Sequence, residues 1–139
     1  MKKWQVFLNK FELIDTMIGI VAVFIILNAA LFMQLYYHEA PCPLCLLQRA
    51  AFINIGLALL MNVRYRNRVL HWAMVIVSAV VGAAVSLRQI LLHINDPTGF
   101  GDPVLGLHLY TWSFIGFSIA MVGATLMLVI YPENQIHEC

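Results

Sequence analysis

The sequence predicts an all-α integral membrane protein, a four-helix bundle with both termini in the cytoplasm. Composition and the length of the apolar runs predict this fold class. Of the 139 residues, 62% are hydrophobic and only 11% are charged, whereas soluble domains carry roughly 25% charged residues. Four apolar runs also approach the ~20 residues that a helix needs to cross a hydrocarbon core of ~30 Å. We expect a single membrane domain, residues 1–139, with spans at about 17–36, 46–63, 69–91 and 110–131.

The first two runs differ in polarity. The first, residues 17–36, is too long for the apolar core of a cleaved signal peptide and continues at once into a cysteine motif. The second, residues 46–63, is the shortest and carries Gln48, Arg49 and Asn54 in its first half. Polar side chains are unfavourable in lipid, so we expect this half to face protein or a cavity.

The third and fourth runs carry small residues at helical spacing. Small residues four positions apart let membrane helices approach closely, so each run is expected to have a contact face. The positions are Ser78, Gly82 and Ser86 in the third run, and Gly116, Ala120 and Ala124 in the fourth.

The positive charges predict the orientation. Lys2, Lys3 and Lys10 precede the first span, and arginines crowd the link between the second and third spans, whereas the other two links contain neither Lys nor Arg. By the positive-inside rule, both termini face the cytoplasm. The cysteine motif and the outer loop, residues 92–109, then face the periplasm of a bacterial inner membrane, which keeps thiols oxidised. The net charge of +1 gives no reason to expect nucleic acid as a partner.

A Cys-x-x-Cys pair, Cys42 and Cys45, lies at the outer start of the second span. Pro41 disfavours helix before the pair and Pro43 suits a first helical turn, so Cys42 is the expected N-cap and Cys45 the third helical residue. Both sulfurs then lie at a helix N-terminus, which favours a thiolate. Arg49 lies within about 40° of both cysteines around the helix. Its guanidinium can stabilise a thiolate or a quinone oxygen.

Other uses of the pair are less consistent with the sequence. Covalent haem attachment needs a histidine directly after the second cysteine, where this chain has Leu46, and is excluded. A zinc site usually has four ligands, and the outer side offers only His38, His93 and His108 beside the pair. A purely structural disulfide would close too short a loop to stabilise much. Cys139, the last residue, is expected on the cytoplasmic side, where it cannot pair with them.

The outer end of the third span and the loop after it supply further candidates. Arg88, Gln89 and His93 are expected to line a pocket for a quinone head group; alternatively, Arg88 snorkels to lipid phosphates. Turn signals at 96–103 precede an apolar stretch, 104–109. This stretch is expected to lie along the membrane surface over the pair as a lid, or merely to connect two helices.

The segment Cys42-Pro43-Leu44-Cys45-Leu46-Leu47-Gln48-Arg49, within a four-span layout, resembles the active-site segment of the DsbB family, bacterial inner-membrane proteins that form disulfides. The resemblance implies that Cys42 and Cys45 are the redox pair and that Arg49 helps to bind ubiquinone or menaquinone from the membrane pool. It further implies a periplasmic DsbA-like thiol oxidase as the partner, with Cys42 facing that partner and Cys45 the quinone.

One feature departs from that family. Its familiar members carry a second cysteine pair in the outer loop, whereas residues 92–109 contain no cysteine. The partner's thiolate then attacks Cys42 directly, or an accessory protein supplies the missing dithiol. Two other functions stay open: a non-enzymatic membrane subunit whose cysteine pair binds a metal or a partner, and a disulfide reductase of the same fold.

Overall fold

The computed structural model describes residues 2–38, 42–65, 69–95 and 103–130, and this part of the chain forms four helices. All four are long and apolar enough to cross a membrane, and the only β-pairing among the described residues is one isolated bridge. The predicted all-α membrane fold class is therefore confirmed. The helices are α1 (Lys2–Tyr36), α2 (Pro43–Tyr65), α3 (Val69–Leu92) and α4 (Leu109–Ile130).

Several positions of the sequence argument lie outside the described residues. They include Cys139 at the C-terminus, Pro41 before the cysteine pair, Arg66 and Arg68 of the inner link, and the turn signals at 96–102. The cytoplasmic placement of both termini and the single domain over 1–139 stay predictions.

The first helix begins at Lys2, well before the predicted span at residue 17. Residues 2–16 contain neither Gly nor Pro, so nothing in them interrupts helical geometry. The part of α1 that can cross a membrane is Lys10–Tyr36. The helix therefore extends beyond its spanning part by about two turns, and this extension carries two lysines.

The helices pack in chain order. α3 lies against both α2 and α4, whereas α1 packs along α2 and makes few contacts with α4. The bundle is therefore a row of neighbours with a loose seam between α1 and α4. We call the end of the bundle at which α1 ends and α2 begins the cysteine end.

The core lies where α2, α3 and α4 meet. Phe52 of α2 stacks on Phe117 of α4, with ring centroids 4.0 Å apart. The Phe117 ring covers Gly82 of α3 so closely that a Cβ atom there would collide with it. Gly116 of α4 likewise lies against Phe52, whose Cζ would be 3.3 Å from an added Cβ. Small residues on the third and fourth runs thus do form contact faces.

Replacing Gly82 by valine is expected to destabilise the bundle, because the new side chain occupies the place of the Phe117 ring. Overpacking of this kind usually lowers the free energy of unfolding by about 1–3 kcal/mol. Thermal unfolding of the detergent-solubilised protein measures the effect. Gly123→Val is the matched control, since a Cβ at Gly123 meets nothing within 4 Å. Equal unfolding temperatures for the two variants would contradict the prediction.

Far from the cysteine end, polar side chains join α1 to α2. The Asn62 side-chain amide donates to a Glu12 carboxylate oxygen at 3.2 Å and to the Thr16 hydroxyl at 3.4 Å. All three residues are buried. Pairing of this kind lets polar groups stay inside a membrane bundle. It also anchors α1, whose remaining surface is largely exposed.

Candidate redox site

Cys42 and Cys45 lie at the beginning of α2. The helix begins at Pro43, and the Cys45 backbone N–H donates to the Cys42 sulfur at 3.2 Å. The Leu46 N–H donates to the Cys42 carbonyl oxygen at 3.1 Å. Cys42 is therefore the N-cap and Cys45 the third helical residue, as predicted, and the Cys42 sulfur occupies the place usually taken by a serine or aspartate oxygen.

The two sulfur atoms are in contact. Their Sγ atoms are 2.7 Å apart, and both thiols are free and half-buried. A disulfide bond is about 2.05 Å long, so the sulfurs need to move only a short way when an oxidant takes up two electrons and two protons from this dithiol. The pair can therefore exchange two electrons with little rearrangement around it.

Gln89 of α3 touches both sulfurs. Its Nε2 atom is 3.8 Å from the Cys42 Sγ and 3.6 Å from the Cys45 Sγ. Its Oε1 atom accepts a hydrogen bond from the Gln48 amide of α2 at 2.9 Å. Gln89 is 1% exposed and Gln48 5%. A buried amide chain thus runs from α2 through α3 to the cysteine pair.

Sequence reasoning places Gln89 at the depth of a quinone pocket but predicts no contact with sulfur. Chain spacing relates residues of one helix, whereas this contact depends on how α3 is rotated against α2. The signal that could have found it is two amides, Gln48 and Gln89, each in an apolar run near the cysteine end. Buried amides need partners, so two at one depth indicate a contact.

Arg49 turns its guanidinium toward α1. Its Nη1 donates to the Gln34 side-chain oxygen at 2.5 Å, and its Nη2 donates to the Ala30 carbonyl oxygen at 3.0 Å. Neither acceptor is a sulfur atom. Arginine has five N–H donors, so within the described part of the chain two of the five are used in these bonds and three remain. Arg49 therefore holds α1 at the cysteine end and keeps donors for a further acceptor.

Arg88 and His93 take different positions. Arg88 is exposed on α3, as snorkelling to lipid phosphates requires. The His93 Nδ1 donates to the Gln89 carbonyl oxygen at 2.9 Å, and its ring stacks on Tyr110 with centroids 5.8 Å apart. His108 stacks on the same tyrosine at 5.2 Å. The expected part of Arg88 and His93 in binding a quinone stays a prediction.

The apolar stretch before α4 forms a tight turn. Val104 and Leu107 exchange two backbone hydrogen bonds of 2.9 and 3.1 Å, and the two residues between them have positive φ angles, 54° at Leu105 and 83° at Gly106. The Trp112 indole donates to the Val104 carbonyl oxygen at 3.0 Å. Leu105, at the tip, is 88% exposed. The expected role of residues 104–109 as a lid over the cysteine pair stays a prediction.

The described part of the chain holds no set of ligands for a metal site at the cysteine pair. Among residues 2–38, 42–65, 69–95 and 103–130, no three His, Cys, Asp or Glu side chains come together as a metal site requires. His38, His93 and His108 therefore do not join the cysteine pair in such a group.

Comparison with known proteins identifies relatives. Residues 16–102 match the family model of disulfide bond formation protein DsbB. The chain is 41% identical over 83 residues to disulfide bond formation protein B of Cupriavidus metallidurans, covering 58% of this chain and 52% of the relative. It is 31% identical over 135 residues to disulfide bond formation protein B 2 of Burkholderia lata, covering 74% and 80%.

The share of each relative that is matched varies. Disulfide bond formation protein B of Pseudomonas syringae pv. tomato is 35% identical over 112 residues, covering 75% of this chain and 66% of the relative. Against several others, the chain spans about half the length of the curated relatives it matches. No solved structure matches it.

Proposed function

The chain belongs to the DsbB family of disulfide bond formation proteins, and on this premise we propose that it is a membrane thiol:quinone oxidoreductase. It generates a disulfide between Cys42 and Cys45 by reducing a quinone, and passes that disulfide to a periplasmic, DsbA-like dithiol protein. The observation that carries the proposal is the contact between two half-buried sulfurs, 2.7 Å apart, at the start of a spanning helix.

Thiol exchange begins at Cys42. A partner thiolate bonds to the Cys42 sulfur, the bond between Cys42 and Cys45 breaks, and its electron pair stays on the Cys45 sulfur. The partner's second thiolate then attacks its own sulfur in the mixed disulfide and releases Cys42. Cys42 precedes the helix, whereas Cys45 lies in its first turn, where the positive end of the helix dipole favours a leaving thiolate. The partner leaves oxidised and the pair remains reduced.

A bound quinone would supply the oxidising power, since a quinone can accept the two electrons and two protons that the two thiols release as they close to a disulfide. Arg49 would hold it through the donors not bonded to α1, with Arg88 and His93 as the further residues at this end. A guanidinium suits a quinone oxygen because it stays charged and donates in a plane. Keeping a thiol partner of about −120 mV oxidised needs an acceptor at least as positive, which lipid-soluble quinones provide.

The outer loop makes this chain's exchange simpler than that of the family's familiar members. Residues 92–109 contain no cysteine, so no second pair in this loop accepts the partner's electrons first. The partner's dithiol reacts with Cys42 itself, and an accessory protein that supplies a dithiol is the alternative.

Purified protein given a reduced thioredoxin-like dithiol protein is expected to reduce decylubiquinone or menadione, one quinone for each disulfide formed. The ratio follows because each disulfide releases two electrons and each quinone accepts two. Quinone absorbance and partner thiols, measured in the same sample, test it, with a sample lacking the partner as the control. Thiol loss without quinone reduction would contradict the proposal. Faster reaction from quinol to an oxidised partner would instead identify a reductase.

A further inference from the structure

We propose that Gln89 is a further catalytic residue, whose amide N–H groups stabilise whichever sulfur of the cysteine pair carries negative charge, and that Gln48 is a positioning residue that fixes the direction of this amide. The inference rests on the proposed redox function of the pair.

The Gln89 amide nitrogen lies where it can donate a hydrogen bond to either sulfur. Its Nε2 atom is at nearly equal distances from the two sulfurs, 3.8 Å from Cys42 and 3.6 Å from Cys45. An amide nitrogen has two hydrogens, so one group can serve both sulfurs without moving its backbone. Contacts of this length are weak with thiols, but hydrogen bonds to a charged acceptor shorten and become roughly twice as strong.

The hydrogen bond with Gln48 determines which end of the Gln89 amide faces the sulfurs. A glutamine presents a donor at one end and an acceptor at the other. The Gln89 oxygen accepts from the Gln48 Nε2 at 2.9 Å, with both side chains buried, which leaves the Gln89 nitrogen facing the sulfurs. As long as Gln48 keeps its own orientation, reversing the Gln89 amide would bring two NH2 groups together and place a carbonyl oxygen against a thiolate. Gln48 lies three residues after Cys45, so the helix that holds the pair also orients its donor.

The chemistry of the exchange defines what Gln89 does. When the partner's thiolate bonds to Cys42 and the disulfide breaks, the electron pair stays on Cys45, and the Gln89 amide donates a hydrogen bond to that sulfur without giving up its proton. When Cys42 is released in its turn, the same nitrogen lies against that sulfur. As the thiols close again, they release two electrons and two protons, which a quinone would accept under the proposed function. Gln89 itself begins and ends neutral.

The test measures sulfur reactivity without quinone or partner. In a chain with Cys42→Ser and Cys139→Ser, Cys45 is the one remaining cysteine, and its alkylation by iodoacetamide at fixed pH reports the thiolate fraction. Gln89→Met is expected to slow alkylation about tenfold to a hundredfold, the range for a lost hydrogen bond to a charged group. Gln89→Asn keeps an amide, but its side chain is too short to reach the sulfurs, so it is expected to slow alkylation as much as Gln89→Met. Agreement between the two variants shows that the loss does not come from a folding defect in one of them.

Gln48 is tested by a double-mutant cycle in the same background. Gln48→Met alone is expected to slow alkylation, and the double variant with Gln89→Met is expected to be no slower than Gln89→Met alone, because Gln48 acts only through Gln89. Ser86→Ala is the matched control. Ser86 is buried one turn before Gln89 and its hydroxyl has no hydrogen-bond partner among the described residues, so the alkylation rate should not change.

Two outcomes overturn the inference. An unchanged alkylation rate in folded Gln89→Met and Gln89→Asn proteins would show that the amide does not act on sulfur. If the double variant is slower than Gln89→Met by the full factor that Gln48→Met causes alone, Gln48 acts by a route other than Gln89. Because no quinone enters this assay, either result is separate from a failure of the wild-type protein to reduce quinones, which would count against the proposed function instead.

Discussion

Replacing Cys45 by serine is expected to abolish quinone reduction and to trap an oxidised partner on Cys42. The Cys42 thiolate bonds to one sulfur of the partner's disulfide, the electron pair stays on the partner's other sulfur, and no Cys45 thiolate remains to release the mixed disulfide. The sulfurs are 2.7 Å apart, so Cys45 is the group that closes the internal disulfide, and serine cannot take its place in a two-electron exchange. Turnover should fall below detection, because removal of a catalytic nucleophile typically lowers kcat by at least about four orders of magnitude. Non-reducing electrophoresis with mass spectrometry identifies the attached protein.

The matched variants make this result specific. Cys42→Ser is expected to lose quinone reduction equally but to collect no partner, because exchange begins at Cys42. Cys139→Ser is expected to keep full activity, because the predicted topology has Cys139 on the opposite side of the membrane from the pair. An adduct on the Cys42→Ser protein would reverse the assigned order of the two cysteines. Full activity of Cys45→Ser would rule out a redox relay and favour a non-enzymatic subunit.

Replacing Arg49 by methionine is expected to lower kcat/KM for quinone about tenfold to a hundredfold. That range corresponds to the loss of one hydrogen bond from a charged donor, about 1.5–3 kcal/mol. Methionine keeps the length of the side chain but removes both the charge and the contacts with Gln34 and Ala30. Steady-state kinetics at varied quinone concentration measure the change, and a rise in KM larger than the fall in kcat indicates lost quinone binding.

Two roles of Arg49 must be separated in that experiment, because the residue also joins α1 to α2. Gln34→Met removes one of these contacts and keeps the charge, so it is expected to lower thermal stability slightly and to leave the KM for quinone nearly unchanged. Arg49→Lys retains a charge without the planar fork and should fall between wild type and methionine. If Gln34→Met reproduces the full loss, Arg49 acts by holding α1 and the quinone assignment is wrong.

Much of the fold was predictable because it follows from local chemistry. The apolar runs determine the four spans, and the prolines on either side of Cys42 determine where α2 begins and which cysteine caps it. The start of α1 at Lys2 was not predictable from hydropathy. Hydropathy reports what the lipid covers, whereas the helix continues before the span because residues 2–16 contain no Gly or Pro to interrupt it.

The candidate site was predictable only along one helix. Cys42, Cys45 and Arg49 share α2, and their spacing gives their relative positions. Contacts between helices depend on rotation and depth, which the spacing within a run does not contain. Gln89 against the sulfurs and Gln34 against Arg49 are contacts of this second kind, and both came from the structure. Side-chain length matters as well, since it lets the Arg49 guanidinium lie far from its own Cα position.

Under the proposed function, the loose seam between α1 and α4 would give the two reactants separate approaches. A water-soluble protein would reach the cysteines from the end of the bundle, whereas a lipid-borne oxidant would reach the same end sideways, by diffusion within the plane of the membrane. The oxidant would then never need to leave the bilayer, and the soluble protein would never need to enter it. Turnover would respond to how much of the membrane's oxidant is already reduced.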